Sequence, residues 1–124
     1  ARAPLHVTAV GKLFLLEDGA EQTGDYVSRS GLAIYTRNTI RDPDSLTREL
    51  EKVRKLGYAF DNEEAEKGVS CIGAGIYDDE GRLIAGLSVS APSNRLDKSW
   101  GPKVKDVADA ISRAIGYRSG VRAA

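Results

Sequence analysis

The sequence predicts an α+β fold, an antiparallel sheet flanked by α-helices, and three observations lead there. Two β-type runs, 69–77 and 82–91, flank Asp78-Asp79-Glu80-Gly81, a good turn sequence, and form a hairpin. Helical patterns lie before and after this hairpin instead of linking two parallel strands. The resulting order of helix, helix, strand, hairpin, helix suits helices packed on one antiparallel sheet rather than a doubly wound βαβ arrangement.

Each element has a local cause. Thr8 is an N-cap for Ala9-Val10-Gly11-Lys12-Leu13-Phe14-Leu15-Leu16, a short apolar helix that stops near Gly19. A weaker helical signal covers part of 19–27. Asp42-Pro43 starts the next helix, with Asp44 in its first turn and Leu46, Leu50 and Val53 at helical spacing. Lys52, Arg54 and Lys55 suit its negative C-terminal end, and Gly57 stops it. Tyr58-Ala59-Phe60-Asp61 suits a short strand running into the acidic stretch Asn62-Glu63-Glu64-Ala65-Glu66. The last helix runs from about Ser99 to Gly116, and Val104, Val107, Ala108, Ile111 and Ile115 mark the face expected to pack on the sheet.

At 124 residues the chain suits one compact domain, with no internal repeat, low-complexity linker or boundary. Apolar residues make up 41% and charged residues 29%, with zero formal net charge, so neither disorder nor a polyanion-binding surface is expected. No apolar run approaches the roughly 18 residues of a membrane span, and no signal-peptide pattern opens the chain. The expectation is a cytoplasmic protein with no membrane partner. One cysteine and one histidine exclude an internal disulfide and fall short of a usual zinc site. The chain opens Ala1-Arg2-Ala3-Pro4 and contains no methionine, so a segment upstream is expected.

Cofactor motifs are also missing. Gly11-Lys12 lacks the earlier glycine and the following Ser or Thr of a phosphate-binding loop, and Gly73-Ala74-Gly75 lacks the third glycine and helix of a dinucleotide site. No cofactor and no metal are expected.

The hairpin offers the most specific candidate site. A turn closing symmetrically about Asp79 and Glu80 pairs Tyr77 with Arg82, Gly75 with Ile84, Gly73 with Gly86, Cys71 with Ser88, and Val69 with Ser90. These pairs share one face, because side chains alternate along a strand. Ile72, Ala74, Ile76, Leu83, Ala85, Leu87 and Val89 form the opposite, aliphatic face, which the last helix is expected to cover. On the first face Gly73 and Gly86 remove bulk beside a thiol and two hydroxyls, as expected for a pocket floor, since strand glycines often mark close approach of a ligand or another backbone. A buried small cysteine with two solvent-facing serines remains the alternative. The pairing depends on register.

Three further candidates stand beside the hairpin. The helix start at 8–11 presents unpaired N–H groups and a positive dipole end, suitable for a carboxylate or simply capped. Asp61 is either a ligand contact or the cap of a short turn. His6 is expected to brace the first helix, and a Cys71/His6 nucleophile pair has no local signature to support it.

Four stretches together resemble the effector-binding domain of IclR-family bacterial transcription regulators. They are Leu5-His6-Val7-Thr8-Ala9-Val10-Gly11-Lys12, Gly57-Tyr58-Ala59-Phe60-Asp61-Asn62-Glu63-Glu64, Gly68-Val69-Ser70-Cys71-Ile72 and Leu87-Ser88-Val89-Ser90-Ala91-Pro92. Their order and spacing match across nearly the whole chain. The resemblance implies a GAF/PAS-like sheet with flanking helices, corresponding to roughly the last two thirds of the effector domain. It implies that the first strands of that domain and an upstream winged helix-turn-helix are absent here, with DNA bound only through the latter.

The resemblance further implies a small organic or aromatic acid as effector. Backbone N–H groups of Ala9 and Val10 and the side chains of Asp61, Cys71, Ser88 and Ser90 would hold it, with Val69 as an apolar contact. Homodimers or homotetramers are implied for the full protein. Gly75 stands where the family often has proline, Ala91 where it often has glycine, and Leu13 where alanine is common. The competing expectation is a GAF-like enzyme using Cys71 as a redox or nucleophilic thiol.

Overall fold

A computed structural model describes residues 4–118. A 3-10 turn, Leu5–Val7, leads into α1 (Ala9–Asp18), α2 (Ala20–Ser30), α3 (Pro43–Leu56), β1 (Ala59–Asn62), β2 (Val69–Tyr77), β3 (Leu83–Pro92) and α4 (Trp100–Ile115). Thr8 caps α1 as expected, its Oγ accepting the Gly11 N–H at 3.0 Å. Gly19, at φ 92°, ends α1 and starts α2 at once. α2 runs to Ser30, beyond the weak sequence signal, and buries no residue completely. Asp42 caps α3 by accepting the Ser45 N–H at 2.8 Å.

The strands form one antiparallel sheet in the order β1-β2-β3. The hairpin exists, but its register lies two residues from the symmetric expectation: Cys71 faces Ser90, Gly73 faces Ser88, Gly75 faces Gly86 and Val69 faces Pro92. An even offset keeps each side chain on its face, so the thiol and both serines still share one. The cause sits next to the turn. Ile76 pairs with Ala85 and Tyr77 with Leu83, leaving Ile84 as the extra residue of a β-bulge. Ile84 is exposed, and Leu83 turns to the Cys71 face instead of the aliphatic one. The Tyr77 N–H donates to Ser112 Oγ of α4 at 2.9 Å, and that hydroxyl donates in turn to the Ala108 carbonyl.

α4 covers the aliphatic face, where Ile72, Ala74 and Ile76 pack with Val104 and Ala108. The buried stripe of α4 is Gly101, Val104, Ala108 and Ser112, whereas Val107 and Ile115 are exposed, contrary to the expected stripe. The twisted, three-stranded sheet is too narrow for the whole apolar arc. On the other face, α1 packs through Ala9 and Leu13 onto Ala59, Cys71 and Leu83. A third cluster, Leu15, Leu32, Leu46 and Leu50, joins α1 to α3 with Tyr26 and Val27 of α2 alongside.

The strand glycines serve this second layer. A Cβ on Gly73 would lie 3.1 Å from Ala9 Cβ, and one on Gly86 would lie 2.6 Å from Val10 Cγ1. The space expected above them for a ligand is filled by α1; the close approach is another element of the same chain. No helix of the described residues is long and apolar enough to cross a membrane.

Valine has essentially one χ1 rotamer in a helix and cannot swing aside. Gly86→Ala should therefore destabilise the domain by about 1–3 kcal/mol, with Gly73→Ala milder. Val10→Ala in the same chain should recover much of the Gly86→Ala loss in urea unfolding; simple additivity would contradict the contact.

Candidate functional site

Three strands bring three of the expected residues onto one rung. Asp61 faces Cys71 across β1 and β2, and Cys71 faces Ser90 across β2 and β3. Cys71 Sγ and Ser90 Oγ are 3.0 Å apart, within hydrogen-bonding range for sulfur. Ser88 lies one same-face position along β3, opposite Gly73, and Val69 one same-face position along β2, opposite Pro92. Ser88 and Ser90 are exposed, Cys71 half-buried and Asp61 only 3% exposed. The rung therefore opens to solvent on its β3 side and closes towards β1.

The start of α1 lies over the neighbouring rung, Ala9 against Gly73 and Val10 against Gly86. Of the first turn, Gly11 donates to Thr8 Oγ and Lys12 to the Thr8 carbonyl. The Ala9 and Val10 N–H groups have no intrahelical acceptor by helix geometry. No acidic residue stands in this turn, so nothing on α1 itself neutralises the positive end of its dipole. The arrangement favours an anion with an attached polar or aromatic body.

Asp61 serves the turn expected as its alternative role: Oδ1 accepts the Glu64 N–H at 2.8 Å. Its carboxyl is pushed up from the ordinary value, burial outweighing that hydrogen bond and the charge of Lys12. The Cys71 thiol is also pushed up, by burial first; Ser90 pulls it down, and the Asp61 carboxylate raises it further. A reactive thiol requires the opposite shift and a base or cation beside it. His6 does not supply one. It is buried, with Nδ1 2.7 Å from the Tyr26 hydroxyl and Nε2 2.9 Å from the Ala33 carbonyl, which fixes the proton on Nε2 and makes the ring a brace between the 3-10 turn and α2.

Lys12 is the residue that sequence reasoning missed. It is fully buried, and its Nζ lies 2.7 Å from Glu49 Oε2 on α3, 2.5 Å from the Phe60 carbonyl and 2.8 Å from Glu64 Oε1. Burial raises the Glu64 carboxyl even against the pull of Lys12. Glu64 Oε2 accepts the Asn62 N–H at 2.8 Å, and the hydroxyls of Thr36 and Thr39 donate to the carbonyls of Glu63 and Glu64, both at 2.6 Å. A lysine amid Leu13, Leu15 and Leu16 was the available signal, since a charge on an apolar helix needs a buried partner, and 62–66 is acidic.

No group of three or more His, Cys, Asp or Glu able to hold a metal exists among the described residues. Two apolar surfaces lie away from the rung. One is a groove of about 470 Å³ lined by Leu15, Val27, Leu46 and Leu50, and the other a patch of Leu87, Val89, Trp100 and Val107 beside β3.

Comparison with known proteins bears on this arrangement. The description "Bacterial transcriptional regulator IclR C-terminal" matches residues 1–115. The HTH-type transcriptional repressor AllR of Escherichia coli (strain K12) is 38% identical over 123 residues, which are 96% of this chain and 45% of that protein. The chain thus spans under half the length of this relative. A double mutant of the PobR inducer-binding domain from Acinetobacter, in complex with 3-hydroxybenzoic acid, superposes with a TM-score of 0.82 at 28% identity, covering 90% of this chain and 66% of that one. An IclR homologue from Microbacterium hydrocarbonoxydans, in complex with 4-hydroxybenzoate, gives a TM-score of 0.84 at 25% identity, covering 93% and 47%. Sequence and fold agree across almost all of the described residues, and the chain belongs to the IclR family of bacterial transcriptional regulators, as a C-terminal domain of that family.

Proposed function

We propose that the chain senses a small organic acid and thereby modulates DNA binding by a separate part of its polypeptide. The observation that carries this is the juxtaposition of the uncapped N–H groups of Ala9 and Val10 with the Asp61–Cys71–Ser90 rung. The acid's carboxylate sits at the positive start of α1, where backbone N–H groups are oriented in advance. Its body lies along β3 against Cys71 and Val69, and a ring hydroxyl meets Ser88, Ser90 or Asp61. Two relatives of the same fold hold hydroxybenzoates. The raised thiol and the engaged histidine favour lining over catalysis at Cys71.

The free edge of β3, which has no strand neighbour on its outer side among the described residues, supports continuation of the sheet in further strands. A winged helix-turn-helix for DNA, a dimeric or tetrameric assembly and a cytoplasmic location complete the proposal. Effector binding shifts the populations of arrangements that hold the DNA-binding parts differently.

Thermal-shift screening with benzoate, 3- and 4-hydroxybenzoate and short aliphatic acids tests this. An acid at about a hundred times its dissociation constant adds about 2.7 kcal/mol of stability; its carboxamide analogue should add none. Ser90→Ala should weaken binding about tenfold, and Cys71→Ser should weaken it less, without abolishing any turnover. Equal binding of acid and amide would remove the carboxylate site, and a turnover lost with Cys71→Ser would favour the thiol enzyme.

Asp61 gives a second test. Its raised carboxyl value means that the folded chain binds this proton more tightly than the unfolded one. That contribution is fully present below the unfolded value and lost as pH rises through the folded one, so ionised Asp61 opposes folding at neutral pH. Asp61→Asn, whose amide oxygen can still accept the Glu64 N–H, should stabilise the domain at neutral pH by about 1 kcal/mol. The gain should vanish towards about pH 4. Lower stability at neutral pH would contradict the burial effect.

A further inference from the structure

We propose that Lys12 is the positioning residue of this site, its buried ammonium clamping the 61–64 turn to α1 and so holding the Asp61 carboxylate on the Cys71–Ser90 rung. The functional meaning of the clamp rests on the effector-site proposal above; its geometry does not.

Beyond the pairing of its strand with β2, Asp61 is held at two further points, and both lead to Lys12. Its chain neighbour Phe60 gives its carbonyl to Lys12 Nζ at 2.5 Å, and its own Oδ1 holds the N–H of Glu64, whose carboxylate lies 2.8 Å from the same nitrogen. An ammonium has three donors, and Glu49 takes the remaining direction. The turn does not hold this shape by backbone preference: Glu63 sits at φ 54°, a left-handed conformation that side chains other than glycine adopt at a cost. Lys12 also stands on α1, three residues from Ala9 and two from Val10, so one helix carries both the carboxylate donors and the clamp.

The consequence has a sign that a simple charge effect lacks. Cys71 is the sole thiol of the chain, and the groups that act on it directly are Asp61 from β1 and Ser90 from β3; Lys12 and Glu64 act on Asp61. Removing a cation while nothing moves leaves the thiol where it is or raises it further. Releasing Asp61 from the rung takes an anion away from the thiol and lowers it.

The test is the rate of Cys71 alkylation by iodoacetamide as a function of pH, in wild type, Asp61→Asn and Lys12→Met, with the fold of each checked by circular dichroism. Asp61→Asn should lower the midpoint, and Lys12→Met should move it the same way, with alkylation near about pH 8 several-fold faster than in wild type. A Lys12→Met midpoint at or above the wild-type value overturns the proposal. If Lys12→Met does not fold, Lys12→Gln, which can still donate to the Phe60 carbonyl, replaces it with the same expectation; failure of both to fold assigns Lys12 to folding alone and also overturns it. Alkylation needs no effector. A lowered midpoint in a protein that binds no acid supports the clamp and removes the effector site, whereas an unmoved midpoint in a protein that binds one removes the clamp alone.

Discussion

The seating of α1 on Gly73 and Gly86 is the constraint on which the rest of the molecule depends. With the Val10 methyl groups 2.6 and 2.7 Å from where a Gly86 side chain would begin, the helix lies closer to the sheet than side chains at that position would allow. That depth brings its first N–H groups beside the polar rung and lets a lysine at the end of its first turn reach past the sheet edge to the Phe60 carbonyl. A helix held a side chain further out would do neither. The domain is therefore organised around a short apolar helix whose propensity alone would not form it, and tertiary packing does the rest.

The two edges of the sheet are treated differently. Alternate backbone groups of an edge strand point away from its neighbour, and on β1 three of them are occupied: the Phe60 carbonyl by Lys12, the Asn62 N–H by Glu64 and the Asn62 carbonyl by Asn38 at 3.0 Å. Side chains from three separate segments close that edge. β3 has no such cover from a strand among the described residues, and its aliphatic flank carries exposed Val89 beside exposed Val107 of α4. The closed edge carries Asp61, which needs exact placement; the open edge carries the exposed serines.

Much of this was legible because local signals agreed. The Thr8 and Asp42 caps, Gly57, and the alternation of 69–77 each specified an element that the structure contains. What escaped was set by tertiary contacts. The turn closes one residue off the symmetric expectation, with Tyr77 on Leu83, and the bulge at Ile84 adds a second, so that Ser90 replaces Ser88 opposite Cys71; no turn-residue rule distinguishes that from the symmetric closure. The shared face survived because the offset is even. Gly73 and Gly86 were correctly marked as places of close approach, but spacing cannot say whether a ligand or a helix makes it. A charge among the leucines of α1 marked Lys12 as unusual, but its partners Glu49 and Glu64 lie 37 and 52 residues away in sequence, beyond the reach of local patterns. The surplus apolar arc of α4 misled the expected stripe, since periodicity reports which face is apolar and not how wide a sheet it meets.

The organic acid proposed as effector binds across the start of α1 and the Asp61–Cys71–Ser90 rung. The most direct measurement is a titration of the isotopically labelled chain with 4-hydroxybenzoate and related acids, followed by backbone amide chemical shifts. The largest, saturable changes are expected at the Ala9 and Val10 amides, with accompanying changes at Cys71, Ser88 and Ser90. Changes centred instead on Leu15, Val27 and Leu46 in the groove between α1, α2 and α3, or none at any of these positions with any acid, would contradict it.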